Sequence, residues 1–341
     1  MESAHTHTAT RSPSPDRKWL VLLARVLVIG AALFYIGRSL LRNWDELRQY
    51  DFALNWRLLI WAHIVLGASL FNRAMLWHWV TRKFECAIPF WRAVAAWFYS
   101  QLGKYLPGKV FLLAGRLHFY RQQGRSALRV SMCFAFEGLA GLLAASSIFL
   151  SAPLFTDLGV VAQYRIHALI LVALFLVAIR PRHLELLVNP LLKLARRPPI
   201  SLPLRYRDLL AIVVLYAVNW MALGLGFYLL TSAIYPMELR YLAYLAASFA
   251  LAACIGVLVL VAPAGIGVRD AALVIALSAI MPQAIAVVIT LASRLWMTLG
   301  ELLGVAVVAL AVGRQRASSL AVKDSPPQSE NSENAGACDQ I

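Results

Sequence analysis

The sequence predicts an all-α polytopic membrane bundle of six full spans and two broken, re-entrant hairpins, about eight spans by hydropathy alone, arranged as an inverted repeat. Three observations carry this expectation. Of 341 residues, 60% are hydrophobic and only 14% charged, far more apolar than a soluble domain of this size. Stretches of about twenty apolar residues, long enough to cross roughly 30 Å of hydrocarbon, recur along the chain. Two apolar regions are interrupted by Pro-Gly clusters at corresponding places in the two halves.

Full spans are expected at 19–41, 58–80, 130–151, 164–180, 208–232 and 283–312. The run from Trp19 to Leu41 is too long for a signal-peptide core and lacks a small-residue cleavage pattern, so it reads as the first span. Residues 89–121 are broken by Lys104-Tyr-Leu-Pro-Gly-Lys109, and residues 240–281 by Pro263-Ala-Gly-Ile-Gly267. Proline removes a helical hydrogen bond and glycine loosens the backbone, so each region should be helix, break, helix. The stretch 240–262, at 23 residues, is also long enough to cross fully.

Charge sets the orientation, because short connections rich in Lys and Arg stay on the cytoplasmic side. Residues 104–129 hold six bases and no acid, and 180–207 hold seven bases against Glu185 alone. By contrast, 152–163 carry Asp157 and no base, 233–240 carry Glu238 and Arg240, and 42–57 balance three bases with three acids. Both termini then lie in the cytoplasm of a bacterial-type inner (plasma) membrane. The first hairpin enters from inside and the second from outside. Three full crossings per half is an odd number, so the halves 19–151 and 164–312 must be inverted within one transmembrane domain, 19–314. The spacing agrees, with 30 positions from Pro107 to Glu137 and 31 from Pro263 to Arg294. Residues 1–18 and 315–341 read as disordered cytoplasmic tails, and 181–207 as a segment along the cytoplasmic surface.

Several function classes are disfavoured. The net charge of +15 is dispersed in short runs between apolar spans, which reads as topology and not as a nucleic-acid face. Cys86, Cys133, Cys254 and Cys338 are far apart, and His5 and His7 sit in a Thr/Ser/Pro-rich stretch, so neither a disulfide, a metal site nor another cofactor is expected. Gly103 to Lys109 imitates a phosphate-binding loop, but Val110 stands where a Ser or Thr must hold magnesium. No Ser-His-Asp set, HExxH or paired-carboxylate constellation is visible, so the chain is not expected to be an enzyme.

The breaks themselves suit an anion. A helix restarting after Pro107-Gly108 turns its free N–H groups and positive dipole end toward the break beside Lys109, and the second break repeats this with Gly265, Gly267 and Arg269. Against this stands the plainer reading, that the glycines only allow a turn and Asp270 only neutralises Arg269. Ionisable residues inside spans cost about 2.5–3.5 kcal/mol on insertion scales, so Glu137, Arg294 and Glu301 each require a partner or water. Glu137 and Arg294, at matching places in the halves, are expected to face a shared polar interior. Arg25 and Arg73 are read as snorkelling to the cytoplasmic interface, Asn72 and Asn219 as hydrogen-bonding between helices, Gly300 and Gly304 as a packing face, and Trp44, Trp56, Trp77, Trp79 and Trp91 as interfacial anchors.

Gln101-Leu-Gly-Lys-Tyr-Leu-Pro-Gly-Lys-Val-Phe111 with Arg116 and Gly124, together with Pro263-Ala-Gly-Ile-Gly-Val-Arg-Asp270, resembles the transmembrane region of lysylphosphatidylglycerol synthases, a flippase-like family. The resemblance covers about residues 19–314. It implies movement of phospholipid, aminoacylated in the best understood members, between leaflets. It also implies that Lys104, Pro107, Gly108, Lys109, Arg116, Pro263, Gly265, Gly267, Arg269 and Asp270 line or shape the lipid path. The acid at the last position is commonly Glu in the family; Asp270 keeps the charge with a shorter reach. The soluble synthase domain is not expected here. The resulting expectation is a translocator of an anionic, zwitterionic or aminoacylated phospholipid or a polyprenyl-phosphate lipid, whose partners are lipid head groups. The alternative is a non-transporting scaffold that docks a glycosyltransferase or other lipid-modifying enzyme on 181–207.

Overall fold

The computed structural model describes residues 38, 54–105, 110–155, 163–178, 180–194, 205–258 and 267–323, and the expected first span at 19–41, with Arg25 and Trp44, lies outside them. Every regular element described is helical: α1 (Trp56–Lys83), α2 (Phe90–Gln101), α3 (Val110–Arg121), α4 (Ala127–Phe155), α5 (Arg165–Ala178), α6 (Pro181–Leu194), α7 (Tyr206–Ile234), α8 (Leu242–Leu258), α9 (Val268–Leu277) and α10 (Gln283–Lys323). Short 3-10 turns occupy Leu102–Tyr105 and Leu239–Tyr241. Five stretches are long and apolar enough to cross a membrane: α1, α4, α7, Leu239–Val257 and the Gln283–Ala311 part of α10.

Helices α1 and α7 form the keel. Asn55 opens α1 by accepting from the Leu58 N–H, and Arg82 and Lys83 close it, where cations complement the free carbonyls. The two helices run antiparallel. The Asn55 N–H donates to the Ala233 carbonyl at 2.9 Å, Asn72 Nδ2 donates to Asn219 Oδ1 at 3.0 Å near mid-length, and Lys83 meets Asp208 at 2.8 Å. Since α1 and α7 hold the same place in the two halves, their opposite directions make the repeat inverted. The remaining packing obeys the same exchange: α2 lies on α3, α1 and α10, while α8 lies on α9, α7 and α4.

Both broken regions are hairpins. In the first, Tyr99 stacks on Phe119 with ring centroids 5.8 Å apart, and Arg116 Nε donates to Ser100 Oγ at 3.2 Å, so α3 runs back along α2. In the second, Tyr244 near the start of α8 donates its hydroxyl to the Ala276 carbonyl near the end of α9, at 2.8 Å. This contact makes α8 and α9 the two arms of one hairpin. Twelve residues of α2 or α3 span about 18 Å, a little over half the hydrocarbon thickness.

The hairpins enter from opposite ends. Arg129 reaches Glu85 at 3.3 Å beside the first hairpin, at the end of the bundle that also holds Lys83, Asp208 and the contact of Arg180 with the Tyr206 ring. The second starts next to Ile234, Glu238 and Arg240, at the other end.

Four details depart from expectation. Helix α10 continues to Lys323, because nothing from Arg314 to Lys323 is a glycine or proline; residues 315–323 are therefore helical and not a disordered tail. Helix α5 has 14 residues, about 21 Å, which is short for a crossing. Within 181–207, residues 181–194 form helix α6. Trp77 is not an interfacial anchor: it is completely buried, with its Nε1 donating to Tyr120 Oη at 2.9 Å, whereas Trp56 and Trp91 are exposed as expected.

Candidate functional site at the hairpin tips

The tip of the first hairpin is held by a close backbone approach. After α2 the chain tightens into the 3-10 turn, and Gly103 lies so near the start of α3 that a Cβ there would come within 2.7 Å of the Leu112 nitrogen. That contact aims Lys104 out of the hairpin to α10, where its Nζ donates to Glu301 Oε1. The pair joins the first half of the chain to the second.

The second tip is built around Gly267, whose φ of 90° suits glycine and few other residues. Its N–H donates to Asp270 Oδ2 at 3.0 Å, which caps α9, and Asp270 Oδ1 accepts from Arg294 Nε at 2.5 Å. One carboxylate thus caps its own helix and binds α10. Arg269 turns the other way, over the Phe249 ring at 5.0 Å and along Gly256, where a Cβ would press on the arginine stem at 3.1 Å.

The two tips meet. Lys104 lies within electrostatic range of Arg269, Arg73 and Glu301, and Arg269 within range of Arg294, Asp270 and Glu301. The result is a cluster of four cations and two carboxylates contributed by α1, the first tip, α9 and α10. Arg73 belongs to it. Ten residues before Lys83 put Arg73 about 15 Å below that end of α1, too deep to snorkel; its Nε is buried without a hydrogen-bond partner, and its guanidinium lies 5.9 Å from the Trp97 ring. The adjacent Asn72 and the polar pair it makes with Asn219 were the available signal that this face of α1 points inward.

A second buried ion pair lies in the first half. Arg116 Nη1 donates to Glu137 Oε2, Trp97 Nε1 donates to Glu137 Oε1 at 3.1 Å, and the guanidinium lies 4.0 Å from the Trp77 ring centroid. It joins α3 to α4 as Asp270 and Arg294 join α9 to α10, with the signs exchanged. Glu137 and Arg294 therefore pair within their own halves and not with each other, because each is answered by the return arm of its own hairpin. Among the expected site residues, Lys104, Gly267, Arg269, Asp270, Arg294 and Glu301 are brought together, and Arg116 and Glu137 form the separate pair. Pro107, Gly108, Lys109, Pro263 and Gly265 lie outside the described residues. Sequence reasoning missed Ser100 and Trp97 as partners of the Arg116–Glu137 pair. Cys86 and Cys133, far apart in sequence, touch as free thiols with sulfurs 3.5 Å apart.

Long apolar helices, two hairpins inserted from opposite ends and charged groups gathered where the tips meet define a multi-pass membrane protein with an inverted-repeat core. The family model of the lysylphosphatidylglycerol synthase transmembrane region matches residues 22–304, and the chain belongs to that family. A search of the curated proteins finds no match.

Proposed function

We propose that the protein is a lipid translocator and not an enzyme, and that the meeting point of the hairpin tips is where a lipid head group passes between leaflets. The observation that carries this reading is that hairpins inserted from opposite ends bring their tips to the same helix, Lys104 to Glu301 and Asp270 to Arg294 of α10. Moving a bare charge through hydrocarbon is the barrier to leaflet exchange, and fixed cations at mid-depth offset it while the acyl chains stay in lipid. Membership of a flippase-like family supports the same reading. In this reading the membrane is a bacterial-type inner membrane, with the Lys83, Arg129 and Arg180 end and both chain termini in the cytoplasm, which the excess of basic connections supports.

Reconstitution into vesicles of labelled phospholipid, followed by a membrane-impermeant quencher, tests the proposal. The protein should accelerate exchange, and Lys104→Ala with Arg269→Ala should abolish the acceleration in a variant that remains monodisperse. Unaltered exchange in that variant defeats the site. No exchange by the native protein, together with a lipid-modifying enzyme retained through exposed Arg182 and Lys193 of α6, supports the scaffold instead.

A further inference from the structure

Three contacts at successive turns of one face of α4 fasten the first hairpin to it. Arg129, Cys133 and Glu137 are four residues apart, so their side chains stack along one side of the helix. Arg129 meets Glu85 at 3.3 Å, Cys133 meets Cys86 with the sulfurs 3.5 Å apart, and Glu137 accepts from Trp97 and Arg116. The first and third contacts contain ion pairs. The middle one is made of two free thiols, 47 residues apart in the chain and both buried.

Two features set this pair apart from an inert buried cysteine. Cys86 belongs to the short connection between α1 and α2, where Glu85 adopts a left-handed φ of 54° and turns its side chain to solvent. Its sulfur is therefore carried by an irregular turn, which can open without unwinding a span. The Cys86 thiol is also drawn below its ordinary range, first by the hydrogen bond with Cys133 and then by the charges of Arg125 and Arg129, while burial opposes them.

We infer that Cys86 and Cys133 are a reversible disulfide site, at which oxidation converts the middle fastening of the first hairpin from a contact into a covalent bond. The oxidant is a hydroperoxide, of which hydrogen peroxide is the smallest. The Cys86 thiolate attacks one peroxide oxygen; the O–O bond breaks, hydroxide leaves and takes up the proton that Cys86 released, and Cys86 holds a sulfenic acid. The Cys133 sulfur then attacks the Cys86 sulfur; the S–S bond forms, the S–O bond breaks, and the hydroxyl departs with the Cys133 proton as a second water. The two sulfurs lose two electrons and the peroxide oxygens gain them. Closing from 3.5 Å to a bond of about 2.05 Å asks for a shift of roughly 1.5 Å, within reach of the turn that carries Cys86. A dithiol reverses the step. The bond closes a loop that contains α2, the first tip and α3, so the hairpin that carries Lys104 becomes tied at its root to α4.

This inference is independent of the translocator reading, and its test needs no lipid movement. The full chain in detergent is reduced, exposed to a small excess of hydrogen peroxide, alkylated, digested and mapped by mass spectrometry. The expected product is a peptide joining Cys86 to Cys133, lighter than its two halves by the thiol hydrogens and absent after dithiothreitol. Amide exchange over residues 84–101 should then slow by about tenfold, since a cross-link removes open states of the segment it closes. In Cys86→Ala, Cys133 should stay reduced under the same treatment, as a buried thiol with no partner to begin the attack. Recovery of both cysteines as alkylated thiols, a bond from either one to Cys254 or Cys338, or oxidation that halts at a sulfinic acid on Cys86 overturns the inference. So does a Cys133 oxidised equally fast in Cys86→Ala, or a cross-linked protein whose exchange over 84–101 is unchanged.

Discussion

Replacing one member of the Arg116–Glu137 pair should cost far more than replacing both. Glu137 is buried and accepts from Arg116 and Trp97, and Arg116 also bonds Ser100. Glu137→Gln leaves a guanidinium without its counter-charge between Trp77 and Phe134, and Arg116→Met leaves a carboxylate held only by the indole. Either change should destabilise by about 3–5 kcal/mol, the range for an uncompensated buried charge. The double variant Arg116→Met/Glu137→Leu buries no charge. It loses the acceptor of Trp97, at about 1–3 kcal/mol, so the two effects should fall short of additivity by about 3 kcal/mol or more. Unfolding by SDS in mixed micelles, followed by tryptophan fluorescence, measures all four species, since Trp77 and Trp97 flank the pair. Single substitutions that each cost under about 1 kcal/mol, or a double variant equal to their sum within about 0.5 kcal/mol, refute a desolvated pair.

Three further outcomes follow from the contacts. Gly103→Ala places a methyl group against the backbone of α3 and should destabilise by about 1–3 kcal/mol, with faster amide exchange confined mainly to residues 102–116; unchanged exchange there contradicts the close approach. Asp270→Asn keeps an oxygen to cap Gly267 but strips Arg294 of its counter-charge, so α9 should exchange faster and Arg294→Gln should partly rescue it; a lack of rescue separates the two roles. Asn72→Leu removes one interhelical hydrogen bond and should cost only about 0.6 kcal/mol, so loss of folding in that variant shows that more than one bond depends on it.

The parts of this fold that were legible in the sequence are those governed by local chemistry. Pro107 and Pro263 interrupt apolar stretches at corresponding places, and the charges around each stretch give its side of entry, so opposed hairpins and inversion follow from counting. What was not legible is pairing. Glu137 could be recognised as needing a partner, but the partner depends on how α3 lies against α4, which no periodicity reports. Arg73 and Trp77 were misplaced for a related reason: proximity to a span end in sequence was taken as proximity to the interface, whereas the first hairpin packs against that half of α1 and covers both. The helical extension to Lys323 was missed because a polar composition was read as disorder, although it contains no helix breaker.

The repeat is symmetric in its packing and asymmetric in its chemistry, and the two facts bear on each other. The register that aligns Glu137 with Arg294 aligns Ala144 with Glu301, so the acid that receives Lys104 has a fully buried alanine as its counterpart in the first half. The ion pairs that anchor the hairpins are exchanged in sign and neutral in each half; they hold geometry and leave the net charge of the core unaltered. The excess of positive charge arises elsewhere, from Arg73 on the keel, near the Trp97 ring, and Arg269 on the second tip, over the Phe249 ring. A scaffold that needed only stability would place its unpaired cations toward water, since a charge left unanswered in a membrane core is among the most costly groups it can hold. That both lie instead within electrostatic range of Lys104 supports the anionic head group proposed above.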